Sequence, residues 1–137
     1  MIPEISLLNR QRGRRIDFGS LSRFALDALG KVQKVRRNAL PAEIVVVLVS
    51  DRRISAIHQE FMQIAGPTDV ITFQHGEIII SVETAHRQAT DLGQGLYEEL
   101  CLYMVHGLLH LAGYDDRTRS GSREMKRLQQ RLLREIR

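Results

Sequence analysis

An uninterrupted run of six aliphatic residues, Ile44–Val49, is the strongest structural signal in the chain. Such a run, rich in β-branched side chains, is typical of a strand that is covered on both faces, which places it at the centre of a sheet. It is far shorter than the roughly 20 apolar residues that cross a bilayer. The run therefore predicts a domain built around a sheet, with no membrane segment.

The residues before this strand predict two further elements. Residues 5–8 form an apolar cluster short enough for an edge strand, and the basic stretch 10–15 is typical of a turn. Ser20 is suited to cap a helix whose apolar stripe continues until Pro41. That helix is expected to pack its stripe on the sheet.

The residues after the strand predict a hairpin and several helices. A short helix that begins at Ser50 or Asp51 is expected to end at Gly66, and the two strands that follow are close enough for a hairpin. Predicted boundaries are 70–73 and 77–81 for these strands, 83–92 and 96–112 for the next helices, and a last helix carrying Met125, Leu128, Leu132 and Ile136. The length of 137 residues suits one domain, 1–137. We expect an α+β fold of order βαβαββααα, a mixed sheet of about four strands packed with about five helices.

Charge is segregated along the chain. Residues 1–40 and 117–137 each carry a net charge of +6, whereas residues 41–116 carry −8. Basic segments of this kind favour contact with nucleic acid phosphates, although solvated helix faces have the same composition. The residues predicted to contact RNA are Arg10, Arg12, Arg14, Arg15, Arg36 and Arg37, together with the arginines of the last helix.

Two features predict a cytoplasmic protein. The single cysteine, Cys101, cannot form an internal disulfide, as expected in a reducing compartment. Residues 1–10 lack the basic start and the apolar stretch of a secretory signal.

The motif with the clearest chemical meaning contains His106, His110 and Asp116. Two histidines four residues apart on a helix share one face, near enough for both imidazoles to bind one ion. Gly113 can end the helix and reverse the chain, which brings Asp116 back as a third ligand. Three protein ligands with an open position are typical of a catalytic zinc site. The motif predicts one Zn²⁺ at these residues, although a bare HxxxH spacing more often belongs to ordinary helical histidines.

The same spacing matches the HExxHxxGxxH pattern of metzincin proteases. In those enzymes a glutamate follows the first histidine and acts as general base, whereas this chain has Gly107 there. Peptide hydrolysis by that route is therefore not expected.

Three blocks of sequence resemble the YbeY endoribonucleases, also called rRNA maturation factors. The family hallmark HGxLHLxGYDH is matched by residues 106–116 at ten of eleven positions, counting the free ones. The signature PTDVLSF is matched by Pro67–Phe73 and GDIxIS by Gly76–Ser81, each with small differences. The blocks keep the family's order and spacing, and the resemblance covers roughly residues 43–136.

The resemblance implies a zinc-dependent endoribonuclease that cuts single-stranded RNA in the bacterial cytoplasm. It implies a role in forming the 3′ end of small-subunit rRNA and in ribosome quality control, with rRNA and the ribosome or its small subunit as partners. A second hypothesis is a catalytically weakened or inactive factor that binds metal and assists ribosome assembly without cutting.

Three positions depart from the family pattern. The third histidine ligand is replaced by Asp116, which offers an oxygen to zinc but lowers the net charge of the site. The family motif LNxxYR is replaced by Ile57–Met62, so a thioether stands where an arginine could hold a scissile phosphate. The loop between Phe73 and Gly76 is two residues long, shorter than is usual in the family. These departures favour the hypothesis of a factor that binds without cutting, whereas the retained histidines favour the enzyme. The sequence does not assign a catalytic residue.

The remaining polar residues near these motifs have structural interpretations. Cys101 is expected in the core, and Asp69 is expected to fix a turn. His58, Glu98 and Glu99 are expected on solvated helix surfaces. The alternative is that Asp69 orients a water at the metal and that the two glutamates accept hydrogen bonds from a ligand imidazole.

Overall fold

The computed structural model describes residues 3–136 as a four-stranded sheet and five helices. The strands are β1 (Glu4–Asn9), β2 (Glu43–Val49), β3 (Val70–Phe73) and β4 (Glu77–Ser81). The helices are α1 (Phe18–Val35), α2 (Asp51–Met62), α3 (Val82–Asp91), α4 (Leu96–Leu111) and α5 (Arg119–Ile136). The predicted α+β fold and its order βαβαββααα are confirmed. Among the described residues, no helix has the length and apolarity needed to cross a membrane.

The sheet has the strand order β1-β2-β4-β3, in which β1, β2 and β4 are parallel and β3 runs antiparallel to β4. The hairpin and the central position of β2 are therefore confirmed. On the inner face, Val46 and Leu48 are fully buried in the core formed with α1, α4 and α5. On the outer face, Val45 and Val47 are only half-buried, because α2 covers the part of that face nearer β3. The expected cover on both faces of β2 is thus complete only on the inner face.

Helix α4 is the most deeply embedded element. Ten of its sixteen residues are buried, and it contacts α1, α3 and α5 as well as β3 and β4. Gly107 permits this close approach, since a Cβ at that position would lie 2.8 Å from a methyl group of Ile78. Side chains on α4 are consequently held in place by the core.

Several helix ends lie elsewhere than predicted: α1 ends at Val35 and not near Pro41, and α3 and α4 each end one residue earlier than expected. The N-cap of α1 is Asp17 and not Ser20, because the Asp17 carboxylate accepts hydrogen bonds from both the backbone N–H and the hydroxyl of Ser20. Helix α2 is capped by Ser50, one of the two predicted candidates. It ends before Gly66 because Gln63 already adopts the left-handed conformation, with φ of 55°.

Candidate metal centre

The hallmark residues converge at the end of α4. His106 and His110 lie one turn apart on this helix, and Gly113, with φ of 100°, reverses the chain directly after it. The reversal is closed by a hydrogen bond from the Gly113 N–H to the His110 carbonyl at 3.0 Å. It returns Asp116 to the two histidines, so all three predicted ligands are brought together.

The three ligand atoms form a triangle of the size that a zinc ion requires. His106 Nε2 and His110 Nε2 are 3.0 Å apart, and Asp116 Oδ2 lies 3.9 and 3.8 Å from them. A point equidistant from three such atoms lies roughly 2.1 Å from each, and Zn–N and Zn–O bonds are about 2.0–2.2 Å long. Side-chain exposures of 28% and 23% for the histidines leave the triangle open to one side. The residues present therefore fit a single zinc ion with an open coordination position.

The surroundings of the two histidines are compatible with metal binding. His106 Nδ1 donates to the side-chain oxygen of Gln129, which leaves the Nε2 lone pair available to an ion. Burial lowers the pKa of His110, and the neighbouring His106 lowers it further. The charge of Asp116 and a hydrogen bond with the Tyr114 backbone oppose this lowering of the pKa without cancelling it. Burial thus favours neutral imidazole, the form that binds a metal, at His110.

Gln129 is a supporting residue that the sequence analysis missed. It lies on α5 between Met125 and Leu132, which are both buried against the core. A polar side chain on the apolar row of an amphipathic helix is the signal that points to it. Its amide fixes the orientation and tautomer of His106, a role that outer partners of metal ligands commonly have.

The other polar residues have mixed outcomes. The expectation of a solvated Glu99 is wrong, because nearly every face of α4 is covered and this side chain is only 2% exposed. Glu98 is exposed and Cys101 is buried in the core, as predicted. The Asp69 carboxylate accepts a hydrogen bond from the next backbone N–H at 2.7 Å, a contact that agrees with the structural interpretation.

The ligand triangle opens into a cleft between α2, β3 and α4. Its lining residues are His58, Met62, Thr68, Val70, Ile71, Thr72, Gln74, His106 and His110. The volume, about 230 Å³, is below the roughly 300–1,000 Å³ of pockets that enclose a small ligand. His58 lies at this cleft as a partly exposed residue of α2, with Nδ1 3.1 Å from the Gly66 carbonyl oxygen.

The arginines predicted to contact RNA occupy different environments. All six within residues 1–40 are exposed: Arg10, Arg12, Arg14, Arg15, Arg36 and Arg37. The loop 10–15 is ordered by Gln11, which is buried and exchanges hydrogen bonds with the backbone of Arg14. Arg36 has an internal role: its guanidinium lies 4.2 Å from the Tyr114 ring and donates to the Ala112 carbonyl. Arg36 thereby supports the chain reversal that carries Asp116.

Comparison with known proteins gives a consistent result. A family model described as "Endoribonuclease YbeY" matches residues 6–137. Relatives with that description include one from Brevibacillus brevis, 34% identical over 81% of this chain and 82% of its own length. Another, from Desulfitobacterium hafniense, is 32% identical over 86% of this chain and 87% of its own length. The solution structure of a protein from Thermotoga maritima is similar with a TM-score of 0.70 and 27% identity, covering 97% of this chain and 89% of that one.

Proposed function

The chain belongs to the YbeY family of endoribonucleases, and from this membership we propose that it is a zinc-dependent enzyme that cuts single-stranded RNA. The proposed role is formation of the 3′ end of small-subunit rRNA and ribosome quality control in the cytoplasm, with rRNA and the small ribosomal subunit as partners. Residues 1–137 are proposed to act as one domain, with His106, His110 and Asp116 as the metal ligands. The observation that carries the proposal is the ligand triangle that opens into the cleft.

The ligand set determines how the site can contribute to cleavage. A divalent ion bound there supplies a Lewis acid, which polarises a phosphoryl oxygen and lowers the pKa of water. His106 and His110 would hold the ion through ring nitrogens, and Asp116 adds a negative charge where the family hallmark has a histidine. Asp116 therefore strengthens attraction for the cation and reduces the positive charge that remains to stabilise a phosphate.

The shape of the cleft favours unpaired RNA. The histidines are about three-quarters buried, so a phosphate must enter the cleft to reach them. A single strand can bend one phosphate inward, whereas a duplex holds its phosphates on a rigid outer surface. The exposed arginines of loop 10–15 follow β1, at the opposite edge of the sheet from β3. They are suited to hold a strand by salt-sensitive phosphate contacts away from the scissile bond.

A factor that binds RNA without cutting it is the second candidate. Met62 lines the cleft at the position of the family's arginine, and a thioether cannot donate a hydrogen bond to a phosphate. This candidate and the enzyme differ in the chemistry of the cleft and share the same fold.

A cleavage assay on single-stranded rRNA fragments with zinc-loaded protein tests the proposal. Wild type should cut these fragments and His110→Ala should not. Inactive wild type with cleavage restored by Asp116→His and Met62→Arg together would favour the binding factor. Absence of cleavage by every variant at every metal loading would overturn the catalytic function.

A further inference from the structure

His58 faces the cleft from a different wall than the metal ligands. It lies on α2 and lines the cleft together with His106 and His110 from α4. Met62, four residues later, also lines the cleft, so both side chains are on the helix face that is turned toward it. The position of His58 thus gives its ring access to a substrate bound at the metal centre.

A backbone hydrogen bond fixes the His58 ring. Nδ1 lies 3.1 Å from the carbonyl oxygen of Gly66, in the segment that connects α2 to β3. A carbonyl oxygen can only accept, so Nδ1 carries the proton and the neutral ring has its lone pair on Nε2. The tautomer that the backbone selects is the one that leaves Nε2 as a proton acceptor.

The composition of the cleft sets His58 apart. Among the described residues that line it, the titratable groups are His58 and the two metal ligands His106 and His110, and the wall from β3 contributes only uncharged side chains. Asp116 lies in the ligand triangle itself. If His106 and His110 hold an ion, His58 is the imidazole among these whose Nε2 lone pair is not engaged as a metal ligand.

We propose that His58 is the general base of RNA cleavage, an inference that rests on the proposed function. Its Nε2 removes the proton of the attacking O–H group, which is a water molecule or the adjacent 2′-hydroxyl, as that oxygen forms a bond to phosphorus. The bond from phosphorus to the leaving ester oxygen breaks, and this oxygen takes a proton from His58 or from solvent. All protons are accounted for by His58 and water, and no further reactant is needed.

The departure from the family motif agrees with this role. In LNxxYR the position of His58 is an asparagine and that of Met62 is an arginine. An asparagine amide cannot take up a proton near neutral pH, whereas an imidazole can. In this chain, α2 therefore offers proton transfer where the family pattern offers a positive charge. A positioned general base typically contributes a factor of about 10²–10⁴ to the rate.

The test compares wild type with His58→Asn, which restores the family residue, and with His58→Ala. His75→Asn is the matched control, since this exposed histidine lies outside the cleft. Single-turnover cleavage of single-stranded RNA should fall about 10²–10⁴-fold in both His58 variants and stay unchanged in the control. Added imidazole should partly restore His58→Ala, and zinc affinity should change by less than about twofold in either variant.

The outcomes separate the base from its alternatives. A tenfold or larger loss of zinc affinity in His58→Asn would make His58 a metal ligand and overturn the proposal. Cleavage by His58→Asn at the wild-type rate would also overturn it while leaving the proposed function intact. An inactive wild type would remove the proposed function and the base together. Nitrogen NMR of the ring gives a readout independent of activity: a proton on Nε2 in place of Nδ1 contradicts the proposed tautomer.

Discussion

The two helical walls of the cleft are built in opposite ways. Helix α4, which carries the histidine ligands, has ten buried residues and packs against α1, α3, α5, β3 and β4. Helix α2, which carries His58 and Met62, has only Ile54 and Ile57 buried. Near its end, Phe61 and Met62 are 58% and 41% exposed. One wall is fixed by the core, and the other lies on the surface.

This difference explains where the chain departs from its family pattern. Residues 106–116 match the hallmark at ten of eleven positions, and most of this segment lies in α4. The motif on α2 differs at all four fixed positions. The buried Ile57 and the exposed Phe61 keep an apolar or aromatic side chain, whereas the other two positions change the chemistry of the cleft. These are His58 and Met62, which line the cleft where substitution disturbs few packed neighbours. The buried wall thus retains the ion-binding geometry, while the surface wall can change the chemistry offered to the substrate.

Removal of the ligands from the buried wall should have the largest effect. We expect the double variant His106→Ala, His110→Ala to fall from about one zinc ion per chain to nearly none, because only one ligand remains. Metal analysis of purified protein measures this. The matched control is His75→Ala, His86→Ala, which should retain its zinc. Equal metal content in both double variants would show that the site lies elsewhere.

The two walls should also differ in their contribution to folding. Leu108→Ala on α4 removes a side chain that is 0% exposed and should lower the free energy of unfolding by about 2–5 kcal/mol. Phe61→Ala on α2 loses mainly an edge contact with Phe73, 5.4 Å between ring centroids, and should cost about 1 kcal/mol. Urea denaturation measures both values. Similar losses for the two variants would contradict the contrast between a buried and a surface wall.

Loss of the hydrogen bond that supports the ligand His106 should have an intermediate effect on zinc affinity. Gln129→Leu removes the acceptor that holds His106 Nδ1 and should weaken zinc binding about 10–100-fold. Gln130→Leu is the control, since Gln130 is an exposed neighbour on α5. Competition with a chelator gives the affinities. If Gln129→Leu binds zinc as tightly as the control, the orientation of His106 is set by packing alone.

The metal ligands were predictable because their relation is local. His106, His110 and Asp116 are linked by one helical turn and one chain reversal, both of which follow from the sequence spacing. His58 and Gln129 reach the site through the packing of α2 and α5, which spacing does not encode. Arg36 shows the same limit, because its contact with Tyr114 depends on how α1 meets the end of α4.

For the fold, too, the sequence predicts some features and not others. Apolar periodicity gave the order of the elements and the central position of β2, since both depend on which faces must be buried. Helix ends depend on competition between neighbouring caps. Asp17 and Ser20 are both good caps in isolation, and only the structure shows that the Asp17 carboxylate binds Ser20.

A substitution on α2, the surface wall of the cleft, should show whether this helix contacts RNA. Met62→Arg restores a charged donor in the cleft and should tighten binding of single-stranded RNA about tenfold at low salt, with a steeper salt dependence. Stability should change by less than about 0.5 kcal/mol, because the side chain is largely exposed. Met62→Gln controls for polarity without charge. Equal affinity of the two variants would mean that this position does not meet a phosphate.

The smallest expected effect concerns the contacts that attach α2, the surface wall of the cleft, to the start of α3. Asp51, in the first turn of α2, accepts hydrogen bonds from the hydroxyls of Ser81 and Thr84, each at 2.6 Å, and from Arg87 at 2.7 Å. Burial raises the pKa of Asp51, but the hydrogen bonds from these three side chains outweigh it and hold the pKa below its ordinary 3.8. The anchor of α2 is therefore charged, whereas α4 is held by apolar contacts.

A lowered carboxyl pKa stabilises the folded state above the ordinary value and ceases to do so as pH falls through the folded-state pKa. Asp51→Asn should therefore lower the free energy of unfolding by about 1 kcal/mol at pH 6, and this difference from wild type should shrink below about pH 4. Urea unfolding across this range measures the difference, with Glu60→Gln, an exposed carboxylate on the same helix, as control. A difference that stays constant with pH would show that the hydroxyl contacts, and not the charge on Asp51, attach α2 to α3.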